Sequence, residues 1–249
     1  MIKIGVVGCC GKMGKRIIAL AVQDAQLETF IGFERKDCSE INSMLEGVIV
    51  SDDLDKIKQV DVVIDFTPMT DKTDLLNFVI KHKKTIVIGT TGLSVDQVEI
   101  IKQAAKDIAI VYSPNMSVGV NVMFDLVKQA AAQLKEYKVR IIEAHHIHKK
   151  DAPSGTAKQF AAIIESQTNQ HVEDIEAIRE GEIVGDHEII FESDVDIISL
   201  SHKAKTRDIF AKGALDAAKW VANKPAGLYN MHNVLEKMKG LIGNEYSGC

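Results

Sequence analysis

The feature that most constrains the fold is a short apolar run, Ile2–Val7, that ends in Gly8-Cys-Cys-Gly11-Lys-Met-Gly14 and passes at once into a helical pattern. Glycines at a strand-to-helix turn let the backbone approach a ligand closely. The free N–H groups and the positive dipole end of the helix favour an anion there. The spacing is Gly-x-x-Gly-x-x-Gly; the commoner Gly-x-Gly-x-x-Gly wants glycine where Cys10 stands. A second apolar run, Leu27–Phe33, leads into Glu34-Arg35, with Glu34 twenty residues beyond Gly14. A carboxylate there can accept from the ribose hydroxyls of NAD, and an adjacent guanidinium can hold the 2′-phosphate of NADP. The whole unit reads as dinucleotide binding rather than as a plain turn beside a solvated Glu-Arg pair.

The pattern repeats. Val60–Phe66, Thr85–Ile88 and Ile108–Val111 are further apolar runs, separated by helical segments at Lys12–Asp24, Asp71–Lys81 and Ser94–Ala105. The last opens with Ser94-Val-Asp-Gln97, a capping-box pattern. Strands that are apolar throughout belong to parallel sheets covered on both faces. Repeated β-α units of this length predict an α/β fold, a Rossmann-like doubly wound parallel sheet. In such a sheet ligands sit beyond the carboxyl ends of the strands, which sends Asp65-Phe-Thr67, Gly89-Thr90-Thr91-Gly92 and Ser113-Pro114-Asn115-Met116 to one crevice. Each loop alone is ordinary turn chemistry; together they outline a cleft for NADH and/or NADPH.

After about residue 117 the rhythm changes. A helical pattern at Val120–Leu134 leads to a strand at Lys138–His146 and a helix from about Ser154 to Gln167. His187–Glu192 and Asp196–Ser201 follow as an antiparallel hairpin, so an α+β domain is expected here. From Ile209 to Val221 the helical pattern returns, carrying Trp220. The expected division is a dinucleotide-binding domain over 1–116, a second domain over 117–207, and C-terminal helices over 208–249.

Composition bounds the partners. A length of 249 residues suits one large or two modest domains, and 46% hydrophobic residues can fill a core. A net charge of −5 leaves no basic surplus for nucleic acid or an anionic membrane as main partner. No apolar run approaches the ~18 residues that span a bilayer, and the N-terminus reads as a strand rather than a signal peptide. A cytoplasmic protein is expected. Cys9, Cys10, Cys38 and Cys249 form no C-x-x-C pair, a pattern that suits free thiols better than disulfides or zinc.

Against that acidic balance, residues 143–157 read EAHHIHKKDAPSGTA. Along a strand, Glu143, His145 and Ile147 share one face, and His146 and His148 the other. Lys149 would rejoin the face of His145 if the strand persisted. Pro153 then turns the chain, and Ser154-Gly-Thr156 starts a helix. Imidazole, ammonium and free N–H groups therefore converge as a proton donor beside an anion cradle. His146 with His148, or His145 with Glu143, could hold zinc, but more ligands are needed and the lysines repel the ion. A solvated basic turn is the plain alternative. A nicotinamide cleft tips the balance to catalysis, because hydride transfer needs a partner that moves a proton. Two nearby ammonium groups are expected to keep His145 neutral at rest, and substrate carboxylates to raise its pKa on binding.

The run from Glu143 to Ala157 closely resembles the signature of the dihydrodipicolinate reductase family of bacterial lysine synthesis. The likeness continues in Gly8–Gly14, Glu34-Arg35, Gly89–Gly92, Ser117-Val-Gly-Val-Asn121, Arg179–His187 and Ser201–Gly213, nearly the whole chain. The resemblance implies an inserted substrate-binding and oligomerisation domain, with the C-terminal helix returning to the nucleotide domain, and a homotetramer formed through the inserted sheet. It implies a small anionic dicarboxylate as substrate and no metal. His145 would be the acid/base residue and Lys149 the proton donor; His146, Gly155 and Thr156 would hold a substrate carboxylate. Gly8, Cys9, Cys10, Gly11, Lys12, Met13, Glu34, Arg35, Gly89, Thr90, Thr91, Ser113, Pro114, Asn115 and Met116 would line the cofactor. The sequence departs from the family in two places. Pro68 follows Thr67 directly where one residue commonly intervenes, and Ile147 stands where a basic residue is frequent. The residues alone leave open a dehydrogenase for another anionic substrate, a non-catalytic dinucleotide sensor, and a zinc hydrolase.

Overall fold

The computed structural model of the protein describes residues 1–68 and 72–242. The chain forms two compact units: Met1–Met116 together with the segment from Phe210 onward, and Ser117–Ile209.

The first unit is a β-α alternation. Its elements are β1 (Ile2–Val7), α1 (Lys12–Ala21), β2 (Leu27–Phe33), β3 (Met44–Leu45), β4 (Val48–Ser51), β5 (Val62–Asp65), α2 (Thr73–Lys81), β6 (Thr85–Ile88), α3 (Val95–Ala104) and β7 (Ala109–Tyr112). The second unit contributes α4 (Val118–Gln133), β8 (Lys138–His145), α5 (Gly155–Thr168), β9 (Ile175–Arg179), β10 (Asp186–Glu192) and β11 (Ile197–Lys203). Then come α6 (Asp208–Val221), β12 (Gly227–Tyr229) and α7 (Met231–Ile242).

The large sheet has the order β12-β7-β6-β5-β1-β2-β4-β3. It is parallel except that β3 runs antiparallel to β4. Strand order reverses at β1, with β2 on one side and β5 on the other. Ligands of open α/β sheets bind at that reversal. Continuous apolar strands bury both faces: Ile4, Val6, Val62, Val63, Ile64, Ile86, Val87 and Ile88 are all fully buried. Each such side chain contributes about 1.5–3 kcal/mol on leaving water, which fixes the register of the sheet. The capping box at Ser94 and Gln97 forms as expected. α1 ends three residues early, at Ala21. The β3–β4 hairpin and β12 were not foreseen. Left-handed Glu46 and Gly47 close that hairpin without the usual Asn-Gly signal. The expected start of α2 at Asp71, and Cys249, lie outside the described residues.

The second unit is a four-stranded sheet, β11-β10-β8-β9, in which only β8 and β9 are parallel. The expected hairpin is β10–β11. α4 and α5 pack on the sheet through Val120, Phe124, Val127, Phe160 and Ile164, against Ile141, Ile189 and Phe191. The inward row of β8 is Ile141, Glu143 and His145. The core face of this strand thus changes from aliphatic to ionisable over its last three inward positions. β8 stops at His145, one residue short of expectation. His146 N–H donates to Ile183 O, and Glu180 N–H donates to His145 O, so the ladder gives way to a turn.

Candidate active site

In the first unit the glycine loop joins β1 to α1. Gly8 has φ +71°, and a Cβ there would stand 2.7 Å from the Thr67 methyl. A Cβ on Gly14 would stand 2.2 Å from Gly8 O, so the loop can close only with glycines. α1 begins after Gly11, whose missing side chain leaves the helix start without a side-chain cap, and no acidic residue occupies the first turn. A phosphate fits that uncapped, positive end. The loop opens on a cavity of about 690 Å³ lined by Gly8, Gly11, Met13, Glu34, Arg35 and Lys72 among others. Of the residues expected along the cofactor, Gly8, Gly11, Lys12, Met13, Glu34 and Arg35 line this cavity. Cys9 and Cys10 are not among its lining residues.

Glu34 accepts a hydrogen bond from Cys10 N–H at 3.0 Å, which ties the carboxylate to the glycine loop. Arg35 lies in the open, its Nε 3.6 Å from Asp37 with both side chains more than two-thirds exposed. Such a pair contributes about 0–1 kcal/mol, so the guanidinium is free to turn to a ligand. Gly89, Thr90 and Thr91 follow β6, and Ser113, Pro114, Asn115 and Met116 follow β7. Both loops are at carboxyl ends, but neither lines the cavity. Thr90 Oγ1 donates to Thr67 O at 2.9 Å, tying the loop after β6 to the loop after β5, and Ser113 Oγ donates to Asn115 O at 2.9 Å within its own loop.

Sequence reasoning missed Lys72. Its buried ammonium donates to Asp65 Oδ2 at 2.5 Å and to Thr67 Oγ1 at 2.9 Å. Asp65 in turn accepts from Thr67 N–H and Oγ1–H at 2.8 and 2.6 Å. This network holds the loop after β5 against the cavity despite the early Pro68. Met69, where the loop continues, lies outside the described residues.

In the second unit Glu143 is fully buried and saturated with donors. Arg179 Nη2 and Ser154 N–H donate to Oε1 at 2.7 and 3.0 Å, and His145 Nδ1–H donates to Oε2. Burial opposes ionisation, but the hydrogen bonds from Arg179, His145 and Ser154 outweigh it and lower the pKa. Glu143 is a fixed anion. It commits Nδ1 of His145 and leaves Nε2 as the working nitrogen, next to the backbone of Gly185. The His145 pKa is lowered, first by burial and then by the charges of Lys149 and Arg179, against the pull of Glu143. The shift runs in the expected direction, but burial leads it, and one of the two cations is a guanidinium. His187 lies edge-on to His145 at 5.3 Å and is pushed down to about 3 by burial.

Lys149 comes one turn beyond the strand, its N–H on His146 O, rather than on an extended continuation. Its ammonium meets Asp151 Oδ1 at 2.8 Å. His146 points elsewhere on the turn, with Arg207 Nη2 donating to its Nε2 at 3.5 Å. Gly155 and Thr156 open α5, capped by Ser154 Oγ, which accepts from Ala157 N–H at 3.2 Å. Nothing lies within 4 Å of where a Gly155 Cβ would be, so that helix end is open. Sequence reasoning missed Arg179 and His187, although they bracket the Arg179–His187 stretch already singled out. Among the described residues, no three metal-ligand atoms gather in this unit.

The comparisons agree with this geometry. Residues 2–116 match the family described as dihydrodipicolinate reductase, N-terminus, and residues 119–235 match dihydrodipicolinate reductase, C-terminus. A 4-hydroxy-tetrahydrodipicolinate reductase of Zymomonas mobilis is 39% identical over 94% of this chain and 97% of its own. One from Syntrophus aciditrophicus is 38% identical over 94% of this chain and 98% of its own. Among solved structures, a dipicolinate-bound dihydrodipicolinate reductase from Paenisporosarcina sp. TG-14 shares the fold. Its TM-score is 0.80, at 23% identity, over 94% of this chain and all of that one.

Proposed function

The chain belongs to the dihydrodipicolinate reductase family, and from that premise we propose that it reduces 4-hydroxy-tetrahydrodipicolinate to tetrahydrodipicolinate with NADH or NADPH, on the way to diaminopimelate and lysine. One observation carries the reading. His145 is buried, its pKa lowered by that burial, with Nδ1 held by a saturated carboxylate and Nε2 left to act.

The bound dinucleotide would supply hydride to the unsaturated ring. The protein supplies the rest. The uncapped start of α1 takes the pyrophosphate, and Glu34 and Arg35 compete for the adenosine ribose. The open start of α5, at Gly155 and Thr156, takes one substrate carboxylate on backbone N–H groups, with His146 beside it. Lys149 gives the proton that accompanies hydride. His145 acts as acid/base through Nε2. Bringing a dicarboxylate near His145 raises its pKa, so the imidazole is armed when substrate is present. Glu143 stabilises the imidazolium and fixes its tautomer. The local cation cluster in an acidic protein is thus counter-charge and proton source together.

The same reading makes the second unit an oligomerisation domain of a cytoplasmic homotetramer. The exposed Ile197 and Ile198 of β11 support it, since an apolar edge of this kind favours pairing with another copy. Following NADH and NADPH absorbance with freshly prepared 4-hydroxy-tetrahydrodipicolinate tests the proposal. Oxidation of cofactor only when that substrate is present is expected. Equal oxidation without it would overturn the assignment.

A further inference from the structure

The glycine loop carries two adjacent thiols, which the resemblance sets along the cofactor but which no step of the proposed reaction uses. Cys9 is fully buried against Gly32, and Cys10 is half-buried beside it. Their Sγ atoms are 3.8 Å apart. Two thiolates bound at about 2.3 Å to one tetrahedral zinc ion stand about 3.8 Å from each other. The Glu34 carboxylate completes a group of three whose ligand atoms all lie within 4.8 Å of one another, and among the described residues no other such group exists. Cys38, half-buried in the loop after β2, lies near Cys10 but outside that group of three. Two thiols and a carboxylate therefore meet at one end of the nucleotide loop, with a third thiol nearby.

We propose that Cys9, Cys10 and Glu34, with Cys38 as fourth ligand, form a site for a thiophilic divalent cation of the zinc class, and that its occupancy excludes the dinucleotide. The exclusion rests on the cofactor reading given above, because the metal and the adenosine ribose both need the Glu34 carboxylate. Two thiols and a carboxylate are a donor set that a zinc-class ion takes, and binding displaces the thiol protons to solvent. To close on the metal the carboxylate gives up its bond to Cys10 N–H. Spacing along the sequence hides the site, since Cys38 arrives through the fold.

Cobalt(II) is the probe, added to the full chain with thiols kept reduced by a phosphine. The expected result is a near-ultraviolet thiolate-to-cobalt charge-transfer band that saturates at one ion per chain. Saturating NADPH should abolish it. Cys38→Ser should weaken cobalt binding about tenfold while leaving NADPH affinity, read by protein fluorescence, within about twofold. Cys10→Ser, at a half-buried position, should lose the band. No band in the wild-type chain, or an unchanged band in Cys10→Ser, would overturn the metal site. A band that persists while NADPH demonstrably binds would overturn the exclusion. A band with no NADPH binding at all would instead sink the cofactor reading and leave the metal site standing.

Discussion

The two units are built for their proposed ligands by opposite means. The first offers backbone: a glycine turn, an uncapped helix start, and charged side chains that stay largely in water, such as Arg35 with its side chain 82% exposed. The second offers side chains taken out of water: Glu143 fully buried, His145 and His187 nearly so, each with its pKa displaced. Solvated charges are cheap to place and weak in effect. Desolvated ones are costly and strong. Substitutions in the second unit should therefore change chemistry by orders of magnitude, and those in the first should retune binding by small factors.

The largest effect is expected at Lys149. Lys149→Met removes the proposed proton donor and should raise the barrier by about 3–4 kcal/mol, lowering kcat on the order of a few hundredfold, with cofactor affinity retained. Steady-state turnover beside a fluorescence titration of NADPH checks it. Near wild-type turnover would erase the contrast between the two units.

His187 gives the next largest, in stability. Its folded pKa of about 3 lies below the ordinary 6.5, so the folded state binds fewer protons than the unfolded one between those values. The sign follows: stability is complete above about pH 6.5 and is lost as pH falls toward 3, by about 1.4 kcal/mol per unit inside that window. His187→Leu should flatten the fall of Tm between roughly pH 6.5 and 4.5. His145 and His202 shift the same way and will leave a residual slope. An unchanged slope in thermal melts would show that His187 is not held neutral.

The smallest effects belong to the first unit. On the proposed reading Glu34 and Arg35 make opposing cofactor contacts of ~1–2 kcal/mol, so NADH and NADPH should bind within about tenfold of each other. Arg35→Ala should weaken NADPH selectively and Glu34→Ala should weaken NADH selectively. Dissociation constants at one fixed salt concentration decide it. Equal effects on both cofactors would mean that this pair does not read the ribose.

The sequence made local features visible and hid long-range ones. The capping box at Ser94, the glycine loop and the strand-to-turn passage at His145 are written in residues within a few positions of one another. The period-two face of β8 placed Glu143 with His145 correctly. The donors that make Glu143 a permanent anion were out of view, because Arg179 arrives on β9, a five-residue strand with no turn signal before it. Lys72 was invisible for a similar reason: a lysine before a helix reads as solvated until Asp65 is seen buried against it. Burial itself was the other blind spot. The neutrality of His145 was ascribed to neighbouring ammonium groups, whereas desolvation at the end of a core strand comes first.

The central claim is that His145, depressed by burial and held by Glu143, moves the proton. The pH profile of kcat/KM for the wild-type chain and for His145→Gln tests it most directly, because that ratio reports groups on the free enzyme. The wild-type profile should fall as pH rises from about 6 to 9, approaching tenfold per unit, with an apparent pKa below the ordinary 6.5 of histidine. His145→Gln should lose that limb along with most of its activity. A wild-type profile flat across this range, or an identical limb in the variant, would contradict the account.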